Sequence, residues 1–382
     1  MTTAKTDTSA QSNAGSGLEG DFHTQHEFIK AAKMKLNPMI WDYLVGATET
    51  ETTLRRNRAA LDAIALRPRV LRDVSKIDLT STFLNNKNKL RLPVMLAPVG
   101  SLESFDPQGG ITVAKAAAQF GVPLLLSSVT TQEMEPVRAA ADGFQIFQLY
   151  VRGDDAWIDE RVKRAVDCGF DAFCITVDTA VYSRRERDIA KRFAKPWRQN
   201  LTGVQMQAAL SWKNVEHFKK THKIPLILKG IGTAEDARLA VEHGVEVVYV
   251  SNHGGRQLDH GRGSMDVLPE VLDAVGGKAR VIVDGSISRG TDVVKAIAMG
   301  ADAVAVGRLY CYALAAAGQA GVVRMLEILE DEMISAMGLT GVTRLKDLNR
   351  GYLHLNAPLV AEPHVHSAFP LLGLDDPGYG GR

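Results

Sequence analysis

Residues 234–250 read AEDARLAVEHGVEVVYV, and this stretch contains the unit from which the fold is built. Its Ala, Leu, Glu and Arg residues predict a helix over Ala234 to His243, and Gly244 just past the end is the usual left-handed helix cap. The apolar run Val247 to Val250 then predicts a short buried strand. A helix followed by a buried strand is the repeating element of an α/β protein with a parallel sheet.

The same unit recurs along the chain. Three more helices, each followed by a glycine, are predicted over Ile111 to Phe120, Trp157 to Cys168 and Gly290 to Met299. Apolar runs bounded by turn residues predict eight strands, at Pro93–Ala97, Pro123–Leu126, Gln145–Gln148, Ala172–Thr176, Pro225–Leu228, Val247–Val250, Val281–Val283 and Ala303–Val306. This pattern in a chain of 382 residues favours one closed (β/α)8 TIM barrel over an open doubly wound sheet, which stays the alternative.

The segments outside the repeat divide the chain into four parts. Residues 1–25 are rich in Ser, Thr, Gly and Asn without an apolar core, so we expect a disordered leader rather than a signal peptide. Residues 26–75 are predicted to form a helical N-terminal extension that caps one end of the barrel, which spans 76–356. Residues 357–382 carry several prolines and predict an extended tail that packs on a neighbour or on the surface. Between the fourth and fifth strands, Lys195 to Lys213 is expected to be irregular.

Composition argues against several classes of partner. The 45 basic and 44 acidic residues leave a formal net charge of +1, so there is no electrostatic footprint for nucleic acid or an anionic membrane. No apolar run approaches the roughly 18 residues that a membrane span needs. The three cysteines lack metal-ligand spacing and are too few for a disulfide framework, so we expect no metal and a cytoplasmic location.

Nearly every predicted strand ends in a polar, charged, Gly or Pro residue. Examples are Ser127 after the second strand, Thr176 after the fourth and Ser251 after the sixth. For any one of them a strand-end turn is the simpler interpretation, but eight such ends together indicate a site. In a barrel of this kind the loops after the strands converge at the C-terminal face, where active sites lie.

The most informative of these ends is SNHGGRQLD, residues 251–259, directly after the sixth strand. It places His253 three residues before Arg256. An imidazole can take a proton near neutral pH, and a guanidinium can hold a carboxylate through two hydrogen bonds. Together the pair suits a hydroxy acid as substrate. The alternative is a purely structural His-Gly-Gly turn.

Two turns after the seventh and eighth strands predict a phosphate site. They read DGSISRG at 284–290 and AVGR at 305–308. Small residues there let backbone N–H groups approach a phosphate, and Arg289 or Arg308 can neutralise it. Helix capping by Ser288 is the competing interpretation.

Two further stretches carry charge close to strand ends. Asp178 follows the fourth strand, and the run from Tyr182 to Arg187 is either solvated or contributes an arginine that grips a substrate carboxylate. Lys229 ends the otherwise apolar fifth strand, where an unpaired cation would be costly to bury. Its anionic partner is either a neighbouring carboxylate or a ligand edge such as N1–C2=O of a reduced flavin.

These motifs resemble the FMN-dependent α-hydroxy acid oxidases and dehydrogenases, a family that includes glycolate oxidase, lactate oxidase and mandelate dehydrogenase. The resemblance runs from about Phe28 to Tyr352, and its most specific element is SNHGGRQ at 251–257. Supporting elements are IFQLY at 146–150, TVDT at 176–179, LKG at 228–230 and the two phosphate turns. The resemblance implies a TIM barrel that binds FMN.

The resemblance also implies a role for each site residue. His253 would be the base or hydride-path partner, with Asp178 stabilising its charged form. Arg185, Arg256 and Tyr43 would bind the substrate carboxylate, and Tyr150 would contact the reacting hydroxyl. The residues implied to bind FMN are Pro98, Val99, Gly100, Ser127, Gln148, Thr176, Lys229, Ser251, Asp284, Gly285, Ser286, Ser288, Arg289, Gly307 and Arg308.

This chain departs from the family pattern in several places. Ser288 stands where the family commonly has its first phosphate arginine, so Arg289 or Arg308 is expected to compensate. Gly100 replaces the alanine of many oxidases, and Val129 replaces the tryptophan of glycolate oxidase. We therefore expect a pocket wider than one built for glycolate. The segment 195–213 is shorter than in glycolate oxidase, which should leave the site less covered.

The resemblance predicts oxidation of an L-2-hydroxy acid, such as lactate or an aromatic or aliphatic acid, to the 2-oxo acid. O2 is the favoured electron acceptor, with a quinone or carrier protein as the alternative. Two other classes stay open: a non-redox barrel enzyme acting on a phosphorylated substrate, which would use the same phosphate turns, and a flavin-binding protein without turnover. Family members are commonly tetramers or octamers, so a homo-oligomer is expected.

Overall fold

The computed structural model describes residues 15–193, 204–357, 366, 368 and 369. Within these residues, eight parallel strands form a closed barrel in the order β10-β11-β4-β5-β6-β7-β8-β9. The strands are β4 Val94–Leu96, β5 Leu124–Ser127, β6 Gln145–Leu149, β7 Ala172–Thr176, β8 Leu226–Ile231, β9 Val247–Val250, β10 Arg280–Val283 and β11 Ala303–Val306. The predicted TIM barrel is confirmed, and the open-sheet alternative is wrong.

The strand bounds differ most from prediction in β8. It continues to Ile231, three residues beyond the predicted end at Leu228. The register against β9 shifts between Lys229 and Ile231, and Gly230 lies in the left-handed region at φ 113°. This bulge turns the end of β8 toward the barrel mouth.

Helices surround the barrel as predicted. Left-handed glycines such as Gly121 and Gly169 end several of them, and the Asp154 side chain accepts the N–H of Trp157 at the start of one. The helices after the N-terminal extension are α4 Gly110–Phe120, α5 Met134–Ala139, α6 Asp155–Cys168, α7 Glu186–Ala190, α8 Val204–Ala209, α9 Trp212–Thr221, α10 Ala234–Glu242, α11 Ser264–Val275, α12 Gly290–Met299 and α13 Arg308–Thr340. Short 3-10 turns occupy Leu102–Ser104, His253–Gly255, Leu345–Asp347 and Arg350–Tyr352.

The stretch predicted to be irregular, Lys195 to Lys213, is partly helical. Val204–Ala209 forms α8, and α9 begins at Trp212 after a capping box at Ser211 and Asn214. The expectation of irregular structure is therefore wrong for its second half. Residues 194–203 lie outside the described part of the chain.

Apolar side chains cover both faces of the barrel strands, in one layer inside the barrel and another between the strands and the helices. Met95, Leu125 and Tyr249 point into the barrel and are fully buried. The hairpin of β2 Ser81–Phe83 and β3 Asn85–Leu90 adds Phe83 and Leu90 to this interior cluster. No pattern in the sequence predicted this hairpin.

The N-terminal extension forms three helices, α1 Gln25–Lys35, α2 Pro38–Val45 and α3 Thr52–Asp62. The α3 helix lies over the C-terminal end of the barrel, where the amides of Asn57 and Asn252 donate to each other at 2.9 and 2.7 Å. Residues 63–75, also predicted to be helical, are not. There, β1 Ala65–Leu66 instead pairs with β12 Leu353–His354.

The predicted leader of residues 1–25 is not uniformly free of contacts. Residues 1–14 lie outside the described part of the chain, but Ser16 donates through its N–H and Oγ to Glu327 at 2.8 and 2.9 Å. Arg324 donates to the carbonyl of Phe22 at 2.9 Å. Described residues from 15 on therefore pack on α13, and α1 begins at Gln25.

The C-terminal tail lies largely outside the described residues. Of residues 358–382, only His366, Ala368 and Phe369 are described. The extended tail therefore stays a prediction for the rest.

One helix in the described part of the chain, α13, is long and apolar enough by length and composition to cross a membrane. Its most apolar window is 72% buried inside the protein. The helix is kinked at Ala317 and Gly318, which leave helical geometry. A buried core helix of a globular protein has this composition as well.

Candidate active site

A cleft that is partly open to solvent lies at the C-terminal ends of the barrel strands. Helix α2 and the loops after the strands form its walls. Predicted site residues that line it are Tyr43, Pro98, Val99, Gly100, Tyr150, Arg185, Lys229, His253, Arg256, Asp284, Gly285, Ser286, Ser288, Gly307 and Arg308. The remaining strand-end residues Ser127, Gln148, Thr176 and Ser251 are buried.

His253 sits between two polar partners. Its Nδ1 lies 3.1 Å from Asp178 Oδ1, and its Nε2 lies 3.1 Å from the Tyr150 hydroxyl. The residue adopts a left-handed backbone with φ 59°, and its N–H donates to Ser251 Oγ at 3.1 Å. Such a conformation is strained for a residue with a side chain, so the surrounding contacts must hold the loop in place.

Burial sets the charge of His253. Desolvation, followed by the nearby Lys229 ammonium, lowers the pKa of His253 to about 4, although Asp178 opposes the shift. The imidazole is therefore neutral at pH 7. A neutral ring with its proton on Nδ1 donates to Asp178 and keeps Nε2 as a hydrogen-bond acceptor facing the cleft.

Asp178 stays ionised in spite of its burial. Desolvation alone would raise its pKa, but His253 and Lys229 outweigh that effect and hold the pKa of Asp178 below its usual value. Its Oδ2 has no hydrogen-bond partner among the described residues. A Cβ added to Gly230 would lie 2.6 Å from Asp178 Cβ, so the bulge of β8 requires glycine here.

Two arginines face the same part of the cleft. Arg256 Nη1 donates to the Tyr43 carbonyl at 2.7 Å, and its guanidinium lies 4.8 Å from the Tyr43 ring centre. Arg185 makes two long hydrogen bonds of 3.4 Å, to Ser183 and Gln257. Across the described residues, neither arginine forms an ion pair with a carboxylate.

The two guanidinium groups also affect each other. Burial, and then the charge of Arg185, lowers the pKa of Arg256 to about 10. Arg256 remains charged at neutral pH, so this part of the cleft attracts an anion. A bidentate guanidinium contact is the strongest match for a carboxylate.

Two tyrosine hydroxyls complete this end of the cleft. Tyr43 donates to the Gly100 carbonyl at 3.2 Å and stacks on Phe105. Burial raises the pKa of both Tyr43 and Tyr150. Each hydroxyl therefore keeps its proton at neutral pH. Tyr43 donates it to the Gly100 carbonyl, and Tyr150 donates it to His253 Nε2 when that nitrogen is the acceptor.

Several polar atoms at the strand ends lack partners among the described residues. Gln148 donates from Nε2 to Thr176 at 2.8 Å, but its Oε1 accepts nothing. Asp284 Oδ1 and Ser286 Oγ are buried and unpaired as well. Buried polar atoms without partners are costly, so these three indicate a bound polar group.

Lys229 has the buried position predicted from its sequence. Its Nζ donates to Ser251 Oγ at 3.0 Å and lies 3.8 Å from Asp284 Oδ2. Burial raises the pKa of Asp284, with Lys229 acting in the opposite direction. A carboxylate neighbour is thus present, and the ammonium still lines the cleft.

The phosphate end is arranged differently from prediction. Arg308 lines the cleft and donates to the carbonyls of Leu44, Gly46 and Gly254 at 2.9 to 3.1 Å. Ser288 Oγ donates to the Ser286 carbonyl at 3.0 Å. The Ser288 side chain therefore contacts this turn and does not cap a helix, so the alternative interpretation of helix capping is not supported.

Arg289 does not reach the cleft. It forms an ion pair with Glu332 of α13 at 2.7 Å and donates to the Ala368 carbonyl at 3.2 Å. The expectation that it compensates for the missing phosphate arginine is therefore not supported by its position. Arg308 is the arginine that the structure places at this end.

Sequence reasoning missed two residues of this region. Arg58 on α3 holds Asp292 through two hydrogen bonds of 2.9 and 2.8 Å, and also donates to the Ser286 carbonyl at 3.2 Å. Phe369 of the tail lines the cleft. Neither lies in a motif, and only the fold brings them to the phosphate turns.

The chain is similar in sequence to known FMN-dependent enzymes. Residues 32–355 match the model of a family described as FMN-dependent dehydrogenase. Glycolate oxidase 1 of Oryza sativa subsp. indica is 39% identical over 366 residues, covering 90% of this chain and 99% of the relative. L-lactate oxidase of a Nostoc species is 39% identical over 356 residues, covering 86% and 97%.

Solved structures of mandelate oxidase are similar as well. One, with 3,3-difluoro-2-hydroxy-3-phenylpropionic acid, has a TM-score of 0.82 at 38% identity and covers 88% of this chain and 100% of its own. A variant with a C4a-OH-FMN adduct has a TM-score of 0.80 at 38% identity, covering 87% and 100%. The similarity therefore extends over the whole barrel and the N-terminal extension from residue 32.

Proposed function

The chain belongs to the FMN-dependent dehydrogenase family, and on that premise we propose that it oxidises an L-2-hydroxy acid larger than glycolate to the 2-oxo acid, with O2 as electron acceptor. One observation carries this proposal. A neutral histidine, held between Asp178 and Tyr150, shares a cleft with two arginines that have no carboxylate partner among the described residues. Family membership as an oxidoreductase leaves no support for the non-redox alternative.

The residues of the cleft fit FMN. Gln148 Oε1, Asp284 Oδ1 and Ser286 Oγ are buried acceptors or hydroxyls that await partners, and FMN offers ring N–H and ribityl hydroxyl groups. Gln148, Thr176 and Lys229 would hold the ring edge, and Arg308 with the turns after β10 and β11 would hold the phosphate. When bound, FMN supplies the acceptor for the two electrons of the reaction.

Substrate binding falls to the arginines. Arg185 and Arg256 would pair with the carboxylate, and the Tyr43 hydroxyl would donate to it. The long hydrogen bonds that hold Arg185 leave its guanidinium free to reorient onto an anion. This anchoring fixes the hydroxyl-bearing carbon beside His253, so orientation supplies much of the rate.

His253 would then take a proton from the substrate. Its Nε2 faces the cleft as an acceptor, and the carboxylate of Asp178 stabilises the imidazolium that forms. The substrate loses two electrons and two protons in all, and O2 becomes hydrogen peroxide. Whether His253 takes the proton of the hydroxyl or that of the carbon, its role as base and that of Asp178 are the same.

The expected size of the substrate rests on the wall of the cleft beside Tyr43. Gly100, whose carbonyl accepts from the Tyr43 hydroxyl, packs against Val129, and both residues are smaller than those expected of a glycolate-specific pocket. A Cβ added to Gly100 would lie 3.1 Å from Val129 Cγ1, so the two residues share one limited space. Mandelate oxidase, to which the chain is similar, has been solved with a phenyl-bearing hydroxy acid.

The acceptor is supported by the names of the relatives. Glycolate, lactate and mandelate oxidases are all among the similar proteins. We propose that the reduced cofactor of this chain is reoxidised by O2 in the same way. A quinone or carrier protein is the alternative that the experiment must distinguish.

The test is an anaerobic titration of the FMN-loaded protein with each enantiomer of lactate and mandelate and with glycolate. We expect the flavin absorbance to bleach with the L-enantiomer of the larger acids, and only weakly with glycolate. Admission of air should restore the spectrum within seconds if O2 is the acceptor. Slow return in air, with fast return on adding a quinone, would assign a dehydrogenase, and no bleaching by any acid would refute the proposed activity.

A further inference from the structure

The wall of the cleft includes a residue from beyond the family match. The match ends at residue 355, yet Phe369 lines the cleft and is 3% exposed. The side chain is therefore buried in a site whose other walls belong to the family fold. Phe369 therefore joins the site from outside the matched range of residues.

Several contacts hold this part of the tail in place, among them the Arg289 guanidinium, which lies 6.0 Å from the Phe369 ring centre. The His366 ring and the Tyr312 hydroxyl form a hydrogen bond of 3.0 Å, and Arg289 donates to the Ala368 carbonyl. The ring of Phe369 meets that of His26 on α1 edge-on, with centres 5.4 Å apart. The tail is thus anchored to α1, to the start of α12 and to α13.

The position of these contacts places Phe369 at the phosphate end. Tyr312 is one helical turn beyond Arg308, and Arg289 directly follows Ser288. These four residues belong to the turns after β10 and β11 or to the helices that follow. Barrels of this kind bind phosphate at these turns. Ser288, Arg308 and Phe369 line the same cleft.

This end of the cleft has fewer charges than the family pattern implies. Ser288 occupies the position of an arginine, and Arg289 is paired with Glu332 outside the cleft. Arg308 must then provide the guanidinium for the phosphate. A charge pair strengthens as water is excluded, because the effective dielectric constant falls. A buried aromatic ring that excludes water from the same cleft would therefore substitute in part for the missing cation.

We propose that His366, Ala368 and Phe369 are part of the FMN site, and that Phe369 shields the phosphate from water and so strengthens binding of the cofactor. These residues raise affinity for the phosphate of FMN and leave the flavin ring untouched. Cofactor affinity is measured without substrate, so failure of this proposal is distinguishable from failure of the proposed oxidase activity.

The test compares FMN with riboflavin, which lacks the phosphate. The dissociation constant of each is measured by flavin fluorescence on the full-length protein and on Phe369→Ala. We expect Phe369→Ala to weaken FMN binding about tenfold and to leave riboflavin binding within about twofold of the parent. A chain ending at Ala357 should show at least the same loss for FMN.

Two further variants separate this role from general packing. Phe22→Ala removes a ring that stacks on Phe28 with centres 4.2 Å apart and is not among the residues that line the cleft, so it should leave FMN binding unchanged. Ser288→Arg in the Phe369→Ala background restores the charge of the family pattern and should recover FMN affinity. Unchanged FMN binding in Phe369→Ala, or equal weakening of FMN and riboflavin, would overturn the proposal.

Discussion

The two ends of the cleft are built in different ways. At the proposed catalytic end, His253, Asp178 and Tyr150 form one hydrogen-bonded chain, and Arg185 and Arg256 lie beside it. At the proposed phosphate end, Ser288 stands where the resemblance implies an arginine. The neighbouring Arg289 turns away to α13, and Phe369 of the tail forms part of the wall.

This difference follows from what each end must do. Proton transfer depends on the pKa and position of one side chain, so few residue types can serve at the catalytic end. A phosphate is held largely by backbone N–H groups, and any suitably placed cation or water-excluding group can add to them. The phosphate end can therefore change in sequence while the chemistry stays the same.

The largest effect is expected from His253→Gln at the catalytic end. Glutamine cannot take the substrate proton, so the rate of flavin reduction should fall by about 1000-fold or more. FMN should remain bound, because His253 contributes no atom to the phosphate end. Stopped-flow absorbance measures the rate, and rapid reduction in this variant would remove His253 from the role of base.

A smaller loss is expected from Asp178→Asn. The amide still accepts from the imidazole but no longer stabilises its charged form, so reduction should slow by about 100-fold. The change should appear in kcat far more than in KM. A rise in KM of about 100-fold with unchanged kcat would show that Asp178 serves only to shape the pocket.

Arg256→Lys tests the carboxylate contact. Lysine keeps a charge but loses the two-point geometry and the contact with the Tyr43 carbonyl, so kcat/KM should fall by about tenfold or more. Kinetics with lactate and mandelate measure the loss. Parent-like values would mean that the carboxylate binds elsewhere.

The smallest effect is expected from Arg289→Ala at the phosphate end. Because Arg289 pairs with Glu332 outside the cleft, kcat at saturating FMN should stay within about twofold of the parent. Loss of its contact with Ala368 should lower FMN affinity slightly. A large drop in kcat would contradict the separation of the two ends.

The sequence predicted the barrel well because each unit carries its own signal. Glycine caps such as Gly169 and Gly244 and buried runs such as Val247–Val250 are local features, and the structure has them where expected. The hairpin at residues 81–90 was missed, since it has neither a strong apolar alternation nor a clear turn motif. Its place in the fold depends on packing into the barrel end.

The site was predictable where residue identity carries chemistry. His253 and Arg256 share one loop, and their roles follow from their side chains. Arg58 and Phe369 could not be predicted, because they come from α3 and the tail and reach the phosphate turns only in the folded chain. Arg289 was assigned to the cleft from its position beside Ser288, but sequence does not show that Glu332 of α13 lies within reach.

The most direct test of His253 as the catalytic base is the pH dependence of flavin reduction in a single turnover. The hydroxy acid substrate is kept saturating at each pH. Burial and Lys229 lower the pKa of His253 to about 4, so a base of this kind is competent throughout the neutral range. We expect a rate constant that is level above about pH 5 and falls as the pH approaches the pKa of the imidazole. A rate constant that instead declines as the pH rises between about 6 and 7 would show that the reaction needs a protonated histidine, and would contradict the account.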